Sequence, residues 1–450
     1  MARLFGTDGV RGLANQELTA NLALQLGEAA ARRIGNGRKS NGQKTRAVIG
    51  RDPRISGDFL DHAMAAGLAS AGVDVVRVGV VPTPAVAHLL TTEDDIDFGV
   101  MISASHNPMA DNGIKFFAHG GYKLDDAIED DITDLIGQDW DRPIGADVGQ
   151  IWFDDDLAEK SYVGHLLESL GTDLHGLRIA VDCANGAAST LGPEALRKAG
   201  ADVVVINAFP DGENINHECG STHPQQLQAV VVASEADFGV AYDGDADRCL
   251  AVDAKGRLVD GDKIMGLLAV QMKEEGKLAH DTLVVTVMSN LGLLNAMKAK
   301  GITIEQSAVG DRYVLEAMQA GGYSLGGEQS GHVIAADHAT TGDGVLTSLL
   351  IAKAVKTSGK SLEELVSWIP RLPQILLNVP GVDRTGLEHD GVVEAVAAVE
   401  DQLGDDGRVV LRPSGTEPLV RVMVEAPTQN QAEHSAEVIA SAVREHLSLD

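Results

Sequence analysis

The sequence predicts an α/β protein made of three related α/β units and a small C-terminal α+β domain. Three observations predict it. Apolar runs of strand length alternate with segments of helical period. The alternation recurs in recognisable letters: "AGVDVVRVG" at 71–79 is answered by "AGADVVVIN" at 199–207, and "DFGV" at 97–100 by the same four letters at 237–240. After the prolines of "IPRLPQ" (369–374) the order of elements changes.

In the first unit "RAVIG" (46–50) reads as a strand, 57–72 as a helix closing on a glycine, and "VDVVRVG" (73–79) as the next strand. Residues 35–44, rich in Gly, Asn and Lys, read as an exposed loop, and the acidic run 125–134 as a solvated helix face. The second unit has strands at 177–183 and 201–207 around a helix over 187–200. The third has a strand at 283–288, a helix to Lys300, "GITIEQ" (301–306) and then "YSLGGEQSGH" (323–332). Each unit thus offers one polar loop at a strand end, where parallel-sheet proteins bind ligands, and three such loops can face one cleft. The tail runs strand, helix, strand "RVVL", loop "RPSGTEP" (412–418), strand "LVRVMVE" and a helix to Leu447. The expected domains are 1–155, 156–254, 255–368 and 369–450.

A chain of 450 residues exceeds one compact core. With 36 basic and 66 acidic residues the net charge is −30, a field that repels nucleic acid and anionic membranes. It also repels phosphorylated metabolites, so such a substrate needs a local basic cluster or a metal. Three cysteines with no metal or redox spacing make a poor disulfide framework. The start "MARLFGTDGVRG" has no signal-peptide core, and no apolar run spans a membrane. A cytoplasmic protein is expected.

"DGDADR" (243–248) is the strongest local signal. Alternation in an extended loop turns Asp243, Asp245 and Asp247 towards one point, and three carboxylates together suit a hard cation such as Mg²⁺. An EF-hand is excluded, because the sixth position is Arg248 and the twelfth Ala254. A magnesium with room for an anionic ligand suggests phosphoryl transfer. In "SASHNP" (103–108) Ser105 could carry the group, with Ser103 competing on sequence alone. Lys115 could neutralise a phosphate or, with a lowered pKa, move a proton. "GGEQSGH" (326–332) supplies Glu328, Ser330 and His332 for sugar hydroxyls; alone it reads more readily as an ordinary hairpin turn. Arg412, Ser414, Gly415 and Thr416 form an anion cradle, followed by Arg421. Arg11 sits between glycines in "GTDGVRG" (6–12).

These loops, in this order and over essentially the whole chain, resemble the α-D-phosphohexomutase superfamily. "FGTDGVRG", "TVMSNLGL" (286–293), "VGDRYV" (309–314) and "GGEQSGHVI" look like its glucosamine-phosphate branch; the phosphomannomutase/phosphoglucomutase branch tends to have Met at the position of Gln329. The resemblance implies α/β domains with mixed sheets in a heart-shaped four-domain arrangement round a central cleft. It selects Ser105 over Ser103 as a phosphoserine. Asp243, Asp245 and Asp247 match the magnesium ligands, with phospho-Ser105 as a further ligand. Arg248, Lys115 and His332 match catalytic groups, joined by Arg11 and His106. Glu328 and Ser330 match sugar contacts, Asp311 and Arg312 join the substrate-binding set, and Arg412, Ser414, Gly415, Thr416 and Arg421 match the distal-phosphate site.

The implied reaction turns glucosamine 6-phosphate into glucosamine 1-phosphate through a sugar 1,6-bisphosphate, on the way to UDP-N-acetylglucosamine and the bacterial cell wall. The expected partner is a hexosamine phosphate, and a homodimer is compatible with it. The competing activity is a phosphomannomutase/phosphoglucomutase. A phosphatase with Asp243 as nucleophile leaves the Ser105 and Arg412 loops unexplained. A non-catalytic, acidic sugar-phosphate-binding protein needs no serine beside the metal.

Overall fold

The computed structural model describes residues 3–6, 8–35, 42–413 and 419–449. Most of the loop expected at 35–44 therefore lies outside the described residues. Domain I holds strands β1 (Val10–Leu13), β2 (Arg46–Arg51), β3 (Asp74–Val80), β4 (Phe98–Ile102), β5 (Asp111–Ala118) and β6 (Ile151–Phe153) in the order β1-β5-β4-β2-β3-β6. Domain II holds β7 (Arg178–Asp182), β8 (Asp202–Ile206), β9 (Phe238–Tyr242), β10 (Cys249–Asp253) and β11 (Leu258–Val259) in the order β11-β10-β9-β7-β8. Domain III holds β12 (Thr282–Thr286), β13 (Thr303–Ser307), β14 (Leu325–Gly327) and β15 (Val333–Ala335) in the order β13-β12-β14-β15.

All three sheets are mixed in the same way. A strand that runs parallel to its neighbour turns back into an antiparallel partner, as β4 into β5, β9 into β10 and β14 into β15. The three polar loops are these three hairpin connections. β4, β9 and β10 are buried along their whole length, which is why they read as apolar runs rather than alternating ones. One apolar core runs through domains I to III, with Val48, Phe117, Val181, Phe238, Val285 and Val345 among its members. The shared packing holds the three hairpins against one another.

Domain IV has a core of its own. Strands β16 (Gln374–Pro380), β17 (Arg408–Pro413) and β18 (Leu419–Glu425) form an antiparallel sheet in the order β16-β18-β17. Val379, Val420, Val422 and Val424 point to one face and pack on helices Asp390–Leu403 and Gln429–Leu447. Among the described residues no helix is long and apolar enough to cross a membrane.

Two expectations need correction. The helix expected at 187–200 is only Leu191–Lys198. The preceding residues turn instead, with Ala184 and Asn185 at positive φ and the Ala187 N–H donating to Gly244 O at 2.8 Å. The acidic run on helix Asp126–Leu135 is not simply solvated. Glu129 is buried and accepts from Arg3 and Arg312, and Asp131 accepts from Arg33, so the helix is ion-paired onto its surroundings.

Candidate active site

β4 ends by delivering two serines with different fates. Ser103 Oγ donates to Asp52 at 2.6 Å and accepts the Ser105 N–H at 2.9 Å, so its hydroxyl is committed to the scaffold. Ser105 has φ of 51°, the left-handed region that L-residues adopt at a cost, and its Oγ donates to Asp243 Oδ2 at 2.5 Å. The strain is held by Arg54, a fully buried arginine. Its Nη2 donates to the carbonyls of Ser105 and Asn107 at 2.9 Å each, its Nη1 to Pro108 O at 2.5 Å, and its Nε to Asp52 at 2.9 Å. Asn216, from domain II, donates to Ser105 O at 2.9 Å.

The aspartates sit on the β9–β10 hairpin. The loop is a tight turn rather than the extended segment expected, with Ala246 at φ 56° and its N–H bonded to Asp243 O. The three carboxylates converge nonetheless: all are buried, with one oxygen from each lying within 4.8 Å of the others. Gly244 permits this closeness, because a Cβ there would lie 2.5 Å from Ser105 O. Asp245 Oδ2 accepts from Thr83 Oγ1 at 2.7 Å and from Lys115 Nζ at 2.9 Å. Asp245 Oδ1 and Asp247 Oδ1 are buried and meet no donor among the described residues. Orphaned carboxylate oxygens of this kind are what a bound cation satisfies, so the donor set fits a hard metal ion.

The electrostatics follow from the crowding. Burial first, then Asp247 and Asp245, push the Asp243 carboxyl well above the usual range. Burial also works to raise Asp247, but His332, Lys115 and Arg248 outweigh it and hold it well below. Lys115 departs from the lowered pKa considered for it. Burial alone would lower its pKa, but Asp245, Asp8 and Asp247 more than reverse this, so it is a fixed ammonium. Its Nζ lies 2.9 Å from both Asp8 and Asp245. His106, half-buried beside Arg248 and Arg11, is pulled down to about 4 and is neutral at pH 7.

A cleft of about 530 Å³ opens here, lined by Arg11, His106, Asp247, Arg248, Glu328 and His332 among others. Arg11 pairs with Asp8 and reaches Asn107 Oδ1 at 3.3 Å. On the β14–β15 hairpin, Glu328 accepts the Gly310 N–H at 3.1 Å, and Ser330 Oγ is buried without a partner among the described residues. His332 Nδ1 lies 3.5 Å from Asp247, and its Nε2 accepts the Gly342 N–H at 3.1 Å. Burial lowers the His332 pKa, but Asp247, Asp311 and Glu328 raise it by more. Asp311 lies on the cleft wall, paired with Lys123. Arg312 is committed elsewhere, to Asp126, Glu129 and Leu124 O of domain I. In domain IV, Arg412 and Arg421 stand directly opposite on β17 and β18. Burial, then the Arg421 charge, lowers the Arg412 pKa, and its Nε is buried without an acceptor among the described residues. Ser414, Gly415 and Thr416 lie outside the described residues.

Sequence reading missed Asp8, Asp52, Arg54, Thr83 and Asn216. The one local signal was "GRDPR" (50–54), an acid and two arginines directly after a buried strand.

Comparison with known proteins agrees over the full chain. Four domains described as phosphoglucomutase/phosphomannomutase alpha/beta/alpha domains I, II and III and the C-terminal domain match residues 2–141, 160–256, 260–372 and 376–442. The phosphoglucosamine mutase of Bifidobacterium animalis subsp. lactis is 59% identical over 457 residues, covering 100% of both chains. That of Thermobifida fusca is 58% identical over 451 residues, again covering 100% of both. Among solved structures, a phosphoglucomutase/phosphomannomutase family protein from Burkholderia thailandensis has the same fold, with TM-score 0.81, 24% identity, and 98% and 97% of the two chains covered. The Aspergillus fumigatus N-acetylphosphoglucosamine mutase, solved with GlcNAc-6P and magnesium, aligns with TM-score 0.70 and 18% identity over 98% and 95% of the chains. The chain therefore belongs to the phosphoglucomutase/phosphomannomutase family, in its phosphoglucosamine mutase branch, and is an enzyme acting on a sugar phosphate.

Proposed function

We propose that this activity, the interconversion of glucosamine 6-phosphate and glucosamine 1-phosphate, runs through a phosphoryl group carried on Ser105. The observation that carries the reading is the 2.5 Å contact between Ser105 Oγ and Asp243, at the edge of a buried acidic triad in which Asp245 Oδ1 and Asp247 Oδ1 lack donors among the described residues. Asp243, Asp245 and Asp247 would hold magnesium, with an oxygen of phospho-Ser105 beside them. A cation there supplies positive charge that stabilises the phosphoryl group in transit.

The protein's own groups divide the remaining work. Ser105 gives its phosphoryl group to the free hydroxyl of glucosamine 6-phosphate. The 1,6-bisphosphate so formed turns end for end and returns its other phosphoryl group to Ser105, leaving glucosamine 1-phosphate. His332, held at Nδ1 by Asp247, exchanges the Gly342 N–H at Nε2 for the attacking hydroxyl, takes its proton and returns it when the sugar oxygen leaves. Lys115 and Arg248 offset charge on the transferring oxygens, and Arg11 with neutral His106 lines the entry. Glu328 and the unpartnered Ser330 hydroxyl grip sugar hydroxyls in either orientation. Arg412 and Arg421, with residues 414–416, hold the phosphate that is not reacting; Asp311 shapes the wall of the cleft, while Arg312 ties its helix to domain I. A product used for UDP-N-acetylglucosamine puts the enzyme in the cytoplasm.

The test is a coupled assay with magnesium and a trace of sugar 1,6-bisphosphate, comparing glucosamine, glucose and mannose phosphates. Glucosamine phosphate should turn over fastest, chelation should abolish turnover, and peptide mapping should place phosphate on Ser105. Phosphate on Ser103, or undiminished turnover after chelation, refutes the assignment.

A further inference from the structure

The face of the domain IV sheet that turns away from its helices carries charge at both ends. Near the hairpin loop stand Arg412 and Arg421. At the far end, four residues along each strand, Arg408 stands opposite Glu425. The two pairs lie on the same face, about 13 Å apart at strand rise. Glu425 is 0% exposed, yet it lies on the sheet face opposite the apolar core.

What buries Glu425 is domain III. Its Oε1 accepts from Asn290 Nδ2 at 3.0 Å, and its Oε2 accepts the Leu291 N–H at 2.9 Å and Arg408 Nε at 2.7 Å. Arg408 also donates to Ser289 O. Asn290 caps helix Leu291–Ala299 and ties down the interdomain linker through Leu372, whose N–H and carbonyl it binds at 2.9 and 3.0 Å. The same residue faces the sugar loop. Its backbone N–H donates to Asp262 Oδ2 at 2.7 Å, and that oxygen also accepts from Gln329 Nε2 at 3.0 Å. Gln329 lies between the sugar contacts Glu328 and Ser330. One continuous chain of hydrogen bonds therefore runs from the sugar loop to the root of the strands that carry the phosphate-binding arginines.

We propose that Glu425 is a positioning residue for the distal phosphate: clamped by Arg408 and Asn290, it fixes the angle at which domain IV presents Arg412 to a sugar held by the Gln329 loop. The inference rests on the reading of Arg412 as the distal-phosphate grip. A carboxylate suits the task. It takes charge-assisted bonds from both domains at once, and such bonds hold angle more tightly than apolar contact does. A small swing at Glu425 is magnified at Arg412 by the length of strand between them. Misplacement of about 1 Å in a bound substrate can cost about 100-fold in rate.

The experiment is a double-mutant cycle between Glu425→Gln and Arg412→Ala, with Arg408→Gln as a second way to loosen the same clamp should Glu425→Gln fail to fold. Glu425→Gln should lower kcat/KM for glucosamine 6-phosphate by about 10- to 100-fold. It should leave magnesium affinity and the hydrolysis of phospho-Ser105 by water unchanged, since neither needs the distal phosphate. In the Arg412→Ala background it should cost less than about 3-fold, because the grip it positions is already gone. Full additivity in the cycle, or an equal loss of phospho-Ser105 hydrolysis, overturns the proposal in favour of a general structural role. If Arg412→Ala lowers kcat/KM while both clamp variants behave as wild type, the positioning role fails and the phosphate grip stands. If Arg412→Ala itself has no effect, it is the grip that fails.

Discussion

Arg54 and Arg412 both serve the same cleft, and their guanidinium groups are treated in opposite ways. Arg54 is fully buried, and its donors meet three carbonyls of the serine loop and the Asp52 carboxylate. Arg412 is half-buried against another arginine, and its Nε is buried without an acceptor among the described residues. The first arrangement is satisfied before substrate arrives, so it rigidifies. The second gains its full bonding only when an anion enters, so its interaction energy appears on binding. The reacting end is preorganised around a strained serine, and the gripping end awaits the ligand. That division suits a reaction in which two orientations of one sugar must meet the same nucleophile.

Removing the nucleophile should have the largest effect. Ser105→Ala should lose at least ~10⁴-fold in mutase turnover while its thermal melt stays near wild type. Retention of more than a few per cent of activity would show that another group carries the phosphoryl. Next comes the brace. Arg54→Lys keeps a charge beside Asp52 but cannot fork to three carbonyls. We expect ~10²-fold off kcat, with little change in KM and retained magnesium affinity. If KM rises and kcat holds, the brace serves binding and the contrast with Arg412 collapses. Arg412→Lys should then cost ~10- to 200-fold in kcat/KM, from the ~1.5–3 kcal/mol of a charge-assisted bond. Phosphorylation of Ser105 should be untouched in that variant, as measured by intact mass.

The hairpin loops were legible because of what surrounds them. β4 and β9 carry no charged residue and β10 none before Asp253, so "SASHNP" and "DGDADR" stand out as polar interruptions that a buried strand would not otherwise present. The partners of those loops were not legible. Asp8, Thr83 and Asn216 lie far from the loops in sequence, and periodicity does not say which polar side chain folds inward. Lys115 shows the limit most clearly. Its burial could be guessed from the flanking "GIKFF", but whether it is a base or a fixed cation depends on Asp8 and Asp245, which only the fold brings to it. Glu425 had a usable signal: alternation in "LVRVMVE" places it on the same face as Arg421, away from the valines.

Asp262 connects the two ends of the comparison, and its titration gives the smallest expected effect. Burial, with Asp260 adding to it, raises its pKa to about 7, against the Asn290 and Gln329 bonds that favour the anion. In the unfolded chain the group ionises near its ordinary value of 3.8. Between those two values the folded state holds a proton that the unfolded state has lost, so stability falls as pH rises and levels off above about 7. From pH 6 to pH 8 this one group should withdraw ~1 kcal/mol. Asp262→Asn keeps an acceptor oxygen for Asn290 and Gln329 but cannot ionise, so it should lose that slope. Other titrating groups are common to both proteins and cancel in the difference. Urea melts of wild type and variant at pH 6 and pH 8 decide the matter. If the two lose the same stability over that interval, Asp262 is already ionised in the folded protein, and the link between sugar loop and domain IV is a charged one rather than a neutral acid.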